Sequence, residues 1–189
     1  VLPEAQREFF GDADAAATYE AALKRFAALG ATLKEIDFSP FAETARLLYE
    51  GPWVAERWIV AEKLLATTPE ALHPVTRAIT EPGGKASAAD AFRATYRLKE
   101  LRAKVAPVLA AIDGLLLPTA PTAYTVEEVL ADPVRLNSRN GTYTNFVNLM
   151  DLCGIAVPAA IAPTGVPFGV TLLAPAGKDA QMAALGRAF

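Results

Sequence analysis

Apolar residues return at helical spacing from Ala13 to Leu29, with Tyr19, Leu23 and Phe26 on one face, and Gly30 follows as a stop. In "ATLKEIDF" (31–38) the apolar positions Leu33, Ile36 and Phe38 alternate loosely and predict a strand. Helix, glycine and strand in that order form the αβ step of a layered domain. The helical pattern resumes from Pro40 to Lys63 and is interrupted at Gly51-Pro52. A further helix is expected near Pro69, with Thr68 as its cap and the proline in its first position. "EPGGKAS" (81–87) reads as a turn. A long charged helix follows from Ala88 to Leu109, with the Arg93/Arg97 and Glu100/Lys104 pairs on its exposed side.

After Ile112 the texture changes. "DGLLLPTAP" (113–121) holds a short apolar run between Asp-Gly and proline, which suits a buried strand. "LNSRNGTYTNFVNLMDLCG" (136–154) predicts a loop and then a helix from Thr144 to Leu152. "IAVPAAIAP" and "FGVTLLAP" predict two more buried strands, separated by the turn "TGVP". "KDAQMAALGRAF" is an amphipathic helix pattern that ends the sequence without a glycine or proline stop. Strands mixed with helices predict an α/β layered fold. With Val1 in place of a methionine, and with no helix stop at the other end, the 189 residues are expected to be a piece of a longer protein.

Composition narrows the function. Apolar residues make up 52% of the chain, enough for a substantial core. A net charge of −3 disfavours a nucleic-acid or anionic-membrane partner, since both select a basic face. No apolar run reaches the roughly 18–20 residues of a spanning helix. The single cysteine, Cys153, excludes an intrachain disulfide and fits a reducing compartment, so a soluble cytoplasmic protein is expected.

Catalytic chemistry is sparse. The only histidine, His73, stands before Pro74 on an expected helical surface, which suits no triad. One His and one Cys do not make a zinc site. Cys153 reads as a packed thiol, and "GGKAS" lacks the spacing of a phosphate loop. The three serines, Ser39, Ser87 and Ser138, lie outside any glycine-rich setting that would supply oxyanion donors, and Ser39 reads as a helix cap.

The conspicuous stretch is "ARLLYEGPWVAERW" (45–58). Arg57 carries a planar fork that matches a carboxylate, and Tyr49 carries a hydroxyl able to meet a carbonyl or amide. On an unbroken helix the two would point about 80° apart. The Gly51-Pro52 break frees them to face one cavity walled by Trp53 and Trp58. Spacing equally allows Arg57 to pair with Glu56 or Glu62 on the surface, with the aromatics packed in the core.

Three stretches decide the matter: "DGLLLPTAPTAYTVEEV", "LNSRNGTYTNFVNLMDLCGIAVPA" and "GVPFGVTLLAPAGKDA". Their Pro-Thr-x-Pro strand end, Thr-x-x-x-Asn-Leu segment, Pro-Ala strand and Gly-x-Pro-x-Gly turn resemble the C-terminal half of an amidase signature family hydrolase. The resemblance implies an α/β/α layered fold with a mixed central sheet, and makes residues 1–189 the C-terminal portion of a single amidase domain. It implies a catalytic lysine, cis-serine and nucleophilic serine lying N-terminal to this region, so no catalytic residue is assigned here. Neither metal nor organic cofactor is called for. "NLMDLCGIAVPA" and "LLYEGPWVAERW" are closest to a branch that splits a small carboxylated urea derivative into ammonia and carbon dioxide. That likeness implies Tyr49 and Arg57 as substrate-binding residues, a homodimer, and a chain inactive alone. The alternatives are an amidase for another small amide, or a non-catalytic structural or binding module.

Overall fold

The computed structural model describes residues 1–189. Helix α1 (Ala13–Ala28) is followed by α2 (Ser39–Glu50), α3 (Val54–Thr67), α4 (Pro74–Thr80) and the long α5 (Ala88–Ala110). Strand β1 (Leu115–Pro118), helices α6 (Val126–Ala131) and α7 (Pro133–Asn140), strands β2 (Leu152–Ile161) and β3 (Pro167–Pro175), and α8 (Asp179–Ala188) complete the chain. The sheet order is β1-β3-β2, and both pairings are antiparallel, so no parallel pair forms within these residues.

Strand alternation builds the layers. Leu116 of β1 and Val170, Leu172 and Ala174 of β3 point into one core with Tyr19 and Phe26 of α1 and Met182 of α8. Leu115, Leu117 and Leu173 point the other way, against Phe41 of α2, Leu101 and Val105 of α5, and Phe146. Helices therefore cover both faces of β1 and β3, the expected α/β/α layering. The outer strand β2 is covered on one face only: Cys153, Ile155, Val157 and Ala159 pack against the α1 side, while Gly154, Ala156, Pro158 and Ala160 are exposed.

Three expected elements differ. Residues 31–38 form no strand; Ile36 N–H donates to Val1 O at 3.0 Å, but the pairing does not extend into a ladder. Ile36 and Phe38 are buried all the same, so the alternation reported burial of an extended segment rather than sheet membership. Residues 144–151 are successive turns and Leu152 already opens β2; the helix of this region lies earlier, at α7. Tyr143, Phe146 and Leu149 all face inward, and their three-residue spacing suits tight turns. At Pro69 there is only a 3-10 turn, Pro69–Ala71, without a Thr68 side-chain cap; α4 begins after His73.

Smaller details also shift. "EPGGK" is a 3-10 turn, Glu81–Lys85. On α5, Glu100 pairs back to Arg97 at 2.7 Å instead of forward to Lys104, and Arg97 also reaches Glu43 of α2 at 2.6 Å.

Helices α3 and α4 and the two 3-10 turns pack on one another, and on no other helix or strand to a comparable extent. This block, residues 54–85, joins the layered core through Gly51-Pro52 at one end and Ala86-Ser87 at the other. No helix is long and apolar enough to cross a membrane.

Candidate functional site

The site is built at the junction of α2 and α3. Asp37 organises the start of α2: its carboxylate accepts from Ser39 N–H at 3.0 Å, Ser39 Oγ at 2.6 Å and Gln6 Nε2 at 2.9 Å. Ser39 is thus the first helical residue and a donor to Asp37, not the cap itself. Phe41 and Thr44 are fully buried, and Thr44 Oγ donates to Pro40 O at 2.9 Å, which fixes α2 on the core.

Those hydrogen bonds, from Ser39 first and then Gln6, lower the Asp37 pKa from 3.8 to about 2. A depressed carboxylate contributes stability above its unfolded pKa and loses it as pH falls from about 4 through 2. The melting temperatures of the parent and Asp37→Ala are therefore expected to differ at pH 6 and to converge near pH 2. A constant gap across that range would show that the carboxylate's charge contributes nothing.

Helix α2 ends where Gly51 N–H donates to Leu47 O at 3.0 Å and Pro52 offers no donor to continue. A Cβ on Gly51 would lie 2.4 Å from Leu47 O, so the tight ending requires glycine. Trp53 then leads into α3. The break brings the two expected residues together: the Arg57 guanidinium carbon lies 4.8 Å from the centroid of the Tyr49 ring, a cation–π stack. Arg57 makes no ion pair, so the surface pairing with Glu56 or Glu62 does not occur, and its donor fork is free. The Tyr49 side chain is 42% exposed.

Tyr49, but not Arg57, lines a cleft of about 700 Å³ between the α2–α3 junction and the 81–85 turn, with Pro52, Lys85, Asn137 and Ser138 among its walls, so the two residues stack without facing one cavity. The tryptophans do not form that wall. Trp53 is half-buried beside Gly51, and Trp58 packs its Cβ against Gly83 and its indole on Gly84. Lys85 and Ser138 were not singled out for the cleft from sequence, where "EPGGKAS" read only as a turn.

A second hollow, of about 550 Å³, lies at the end of β1. There Thr119 and Thr171 share a hydroxyl hydrogen bond at 2.8 Å, and Thr122 Oγ donates to Asp12 at 2.7 Å. Asp12 also caps α1 through Ala15 N–H, tying the Pro-Thr-x-Pro loop to the helix beneath it.

The discounted residues have structural places. His73 caps α4, its Nδ1 accepting from Val75 N–H at 3.3 Å. Cys153 Sγ lies 3.4 Å from Pro175 O. Ser87 and Asp90 cap α5 reciprocally. Ser138 Oγ donates to Val134 O at 2.9 Å. No group of His, Cys, Asp and Glu is placed to hold a metal.

The family model described as Amidase matches residues 3–182, and the chain belongs to that family. Within it, the chain is 43% identical over 167 residues to a urea amidolyase of Lachancea kluyveri and 41% identical over 167 residues to that of Saccharomyces cerevisiae. Each alignment covers 87% of this chain and 9% of the relative. Selenomethionine-substituted Kluyveromyces lactis allophanate hydrolase superposes with a TM-score of 0.93 at 39% identity, covering 96% of this chain and 30% of that one. The K. lactis urea amidolyase gives the same TM-score and identity over 11% of its length. This chain is therefore homologous to the allophanate hydrolase portion of urea amidolyase and spans less than a third of the length of each of these relatives. A solved structure described only as an amidase, 23% identical with a TM-score of 0.75, shares the fold.

Proposed function

We propose that this chain is the substrate-recognition portion of an amidohydrolase that splits allophanate into ammonia and carbon dioxide during urea degradation. The observation that carries the reading is the unpaired Arg57 guanidinium stacked 4.8 Å over Tyr49, at a break that joins two helices. Allophanate differs from a plain amide in carrying a carboxylate. The planar Arg57 fork suits that group, because two parallel N–H donors meet its two oxygens. The Tyr49 hydroxyl aligns the urea-like remainder, and the ring beneath the guanidinium restricts where the fork can point.

The chemistry itself falls to a lysine, a cis-serine and a nucleophilic serine outside this chain, which is accordingly inactive alone. They perform acyl transfer: the serine attacks the amide carbonyl, ammonia leaves, and water releases the acyl group. Residues 1–189 form the C-terminal portion of one amidase domain. The intact enzyme works in the cytoplasm as a homodimer, next to a urea carboxylase that supplies its substrate.

Ammonia release by the intact enzyme tests the reading. Allophanate is expected to be hydrolysed far better than biuret, in which a neutral carboxamide replaces the carboxylate. Equal turnover of the two would remove the basis for a carboxylate clamp.

A further inference from the structure

Arg57 sits on a helix with little else to hold it. In α3 only Val54 is buried, while Ile59 and Val60 are 64% and 88% exposed. Tyr49, by contrast, belongs to α2, which is fixed to the core by Phe41 and Thr44 and to α5 through Glu43 and Arg97. The distance between the two side chains therefore depends on what holds α3 in place. The interrupted backbone at 51–53 does not do so alone.

The anchor is on an adjacent face of α3. A Cβ on Gly83 would lie 2.6 Å from Val54 O and 2.9 Å from Trp58 Cβ, and one on Gly84 would lie 2.7 Å from Trp58 Cε2 and 2.8 Å from its Nε1. The 81–85 turn thus approaches the first two turns of α3 closer than any side chain at these positions permits. Neither glycine has a positive φ, so their requirement is for space and not for an unusual backbone conformation. Trp58 directly follows Arg57, about 100° around the same helix. Any rotation or retreat of α3 at Trp58 is transmitted to the guanidinium.

We infer that Gly83 and Gly84 are positioning residues for Arg57, seating the Trp58 indole so that α3 holds the guanidinium over Tyr49. The inference deepens the proposed function and rests on Arg57 being the carboxylate clamp. Gly84 is the better probe, because its obstructing neighbour is a side chain, whereas that of Gly83 is backbone.

In the intact enzyme, Gly84→Ala is expected to raise the KM for allophanate on the order of 10- to 100-fold, the usual consequence of displacing a positioning group by about 1 Å. Its kcat should stay within about twofold, since the carboxylate is bound alike in ground and transition states. Trp58→Leu, which creates no clash, should raise KM in the same way through loss of the anchor. Adding Gly84→Ala to Trp58→Leu should raise KM no further, because the atoms that Cβ would meet are gone. Equal rises in both backgrounds would overturn the inference, as would an unchanged KM in Trp58→Leu. If Arg57→Ala raises KM while Gly84→Ala and Trp58→Leu do not, the clamp stands and only its positioning by the glycines falls. If Arg57→Ala leaves KM unchanged, both fall.

Discussion

On the proposed function, Arg57→Ala in the intact protein is expected to weaken allophanate binding by about 2–5 kcal/mol, the usual loss when one partner of an enclosed charge pair is removed. That corresponds to a KM roughly 30-fold higher at the least. An exposed pair would give only about 0.2–1 kcal/mol, so the size of the loss reports whether bound substrate and the rest of the enzyme enclose the guanidinium. Arg57 and Tyr49 are both exposed within residues 1–189, so the larger value requires that bound substrate and the rest of the enzyme cover them. Arg57→Lys should recover little, because an ammonium offers a point charge and no parallel pair of donors. Steady-state kinetics of the three proteins decide it. A KM unchanged by alanine would make Arg57 an ordinary surface residue.

The second large effect is on stability. Phe146 is fully buried, with its ring centroid 5.5 Å from that of Phe38 and 5.2 Å from that of Phe41, both in edge-on geometry. It joins the turns of residues 141–151 to α2 and to the extended segment before it. Phe146→Ala removes a ring from a packed aromatic cluster and is expected to cost about 3–5 kcal/mol. Phe92→Ala, at a position 61% exposed on α5, should stay within about 0.5 kcal/mol of the parent. Urea denaturation of the two variants measures the difference. Comparable midpoints would mean that the 141–151 turns do not contribute to the core.

What could be read in advance follows from how local the signals are. The helix of residues 88–110 carries its own capping pair, Ser87 and Asp90, and a continuous apolar stripe, so no distant contact was needed to predict it. The hairpin of β2 and β3 was marked by "TGVP", where Gly165 takes a positive φ. The 31–38 segment misled because alternation reports burial, and its neighbour is a lone extended residue pair instead of a sheet. The 144–152 segment misled because Tyr143, Phe146 and Leu149 are spaced equally well for 3-10-like turns as for a helix. At the site, the sequence placed Tyr49 and Arg57 beside a backbone break, and the structure stacks them. Trp58 was assigned to the same wall, yet it faces Gly83 and Gly84, more than 20 residues away in sequence. Side-chain direction after a break depends on the incoming partner, which local pattern does not contain.

The block of residues 54–85 holds together internally while touching the layered core sparingly. Such a unit opens and closes at a smaller free energy than the whole domain, because few apolar contacts outside it must be given up. Only the closed form presents Arg57 over Tyr49. Under the proposed clamp, the affinity for a carboxylated substrate is then the intrinsic affinity scaled by the closed fraction. Substitutions or solutes acting on this small helical unit would tune substrate affinity while leaving the reacting groups untouched.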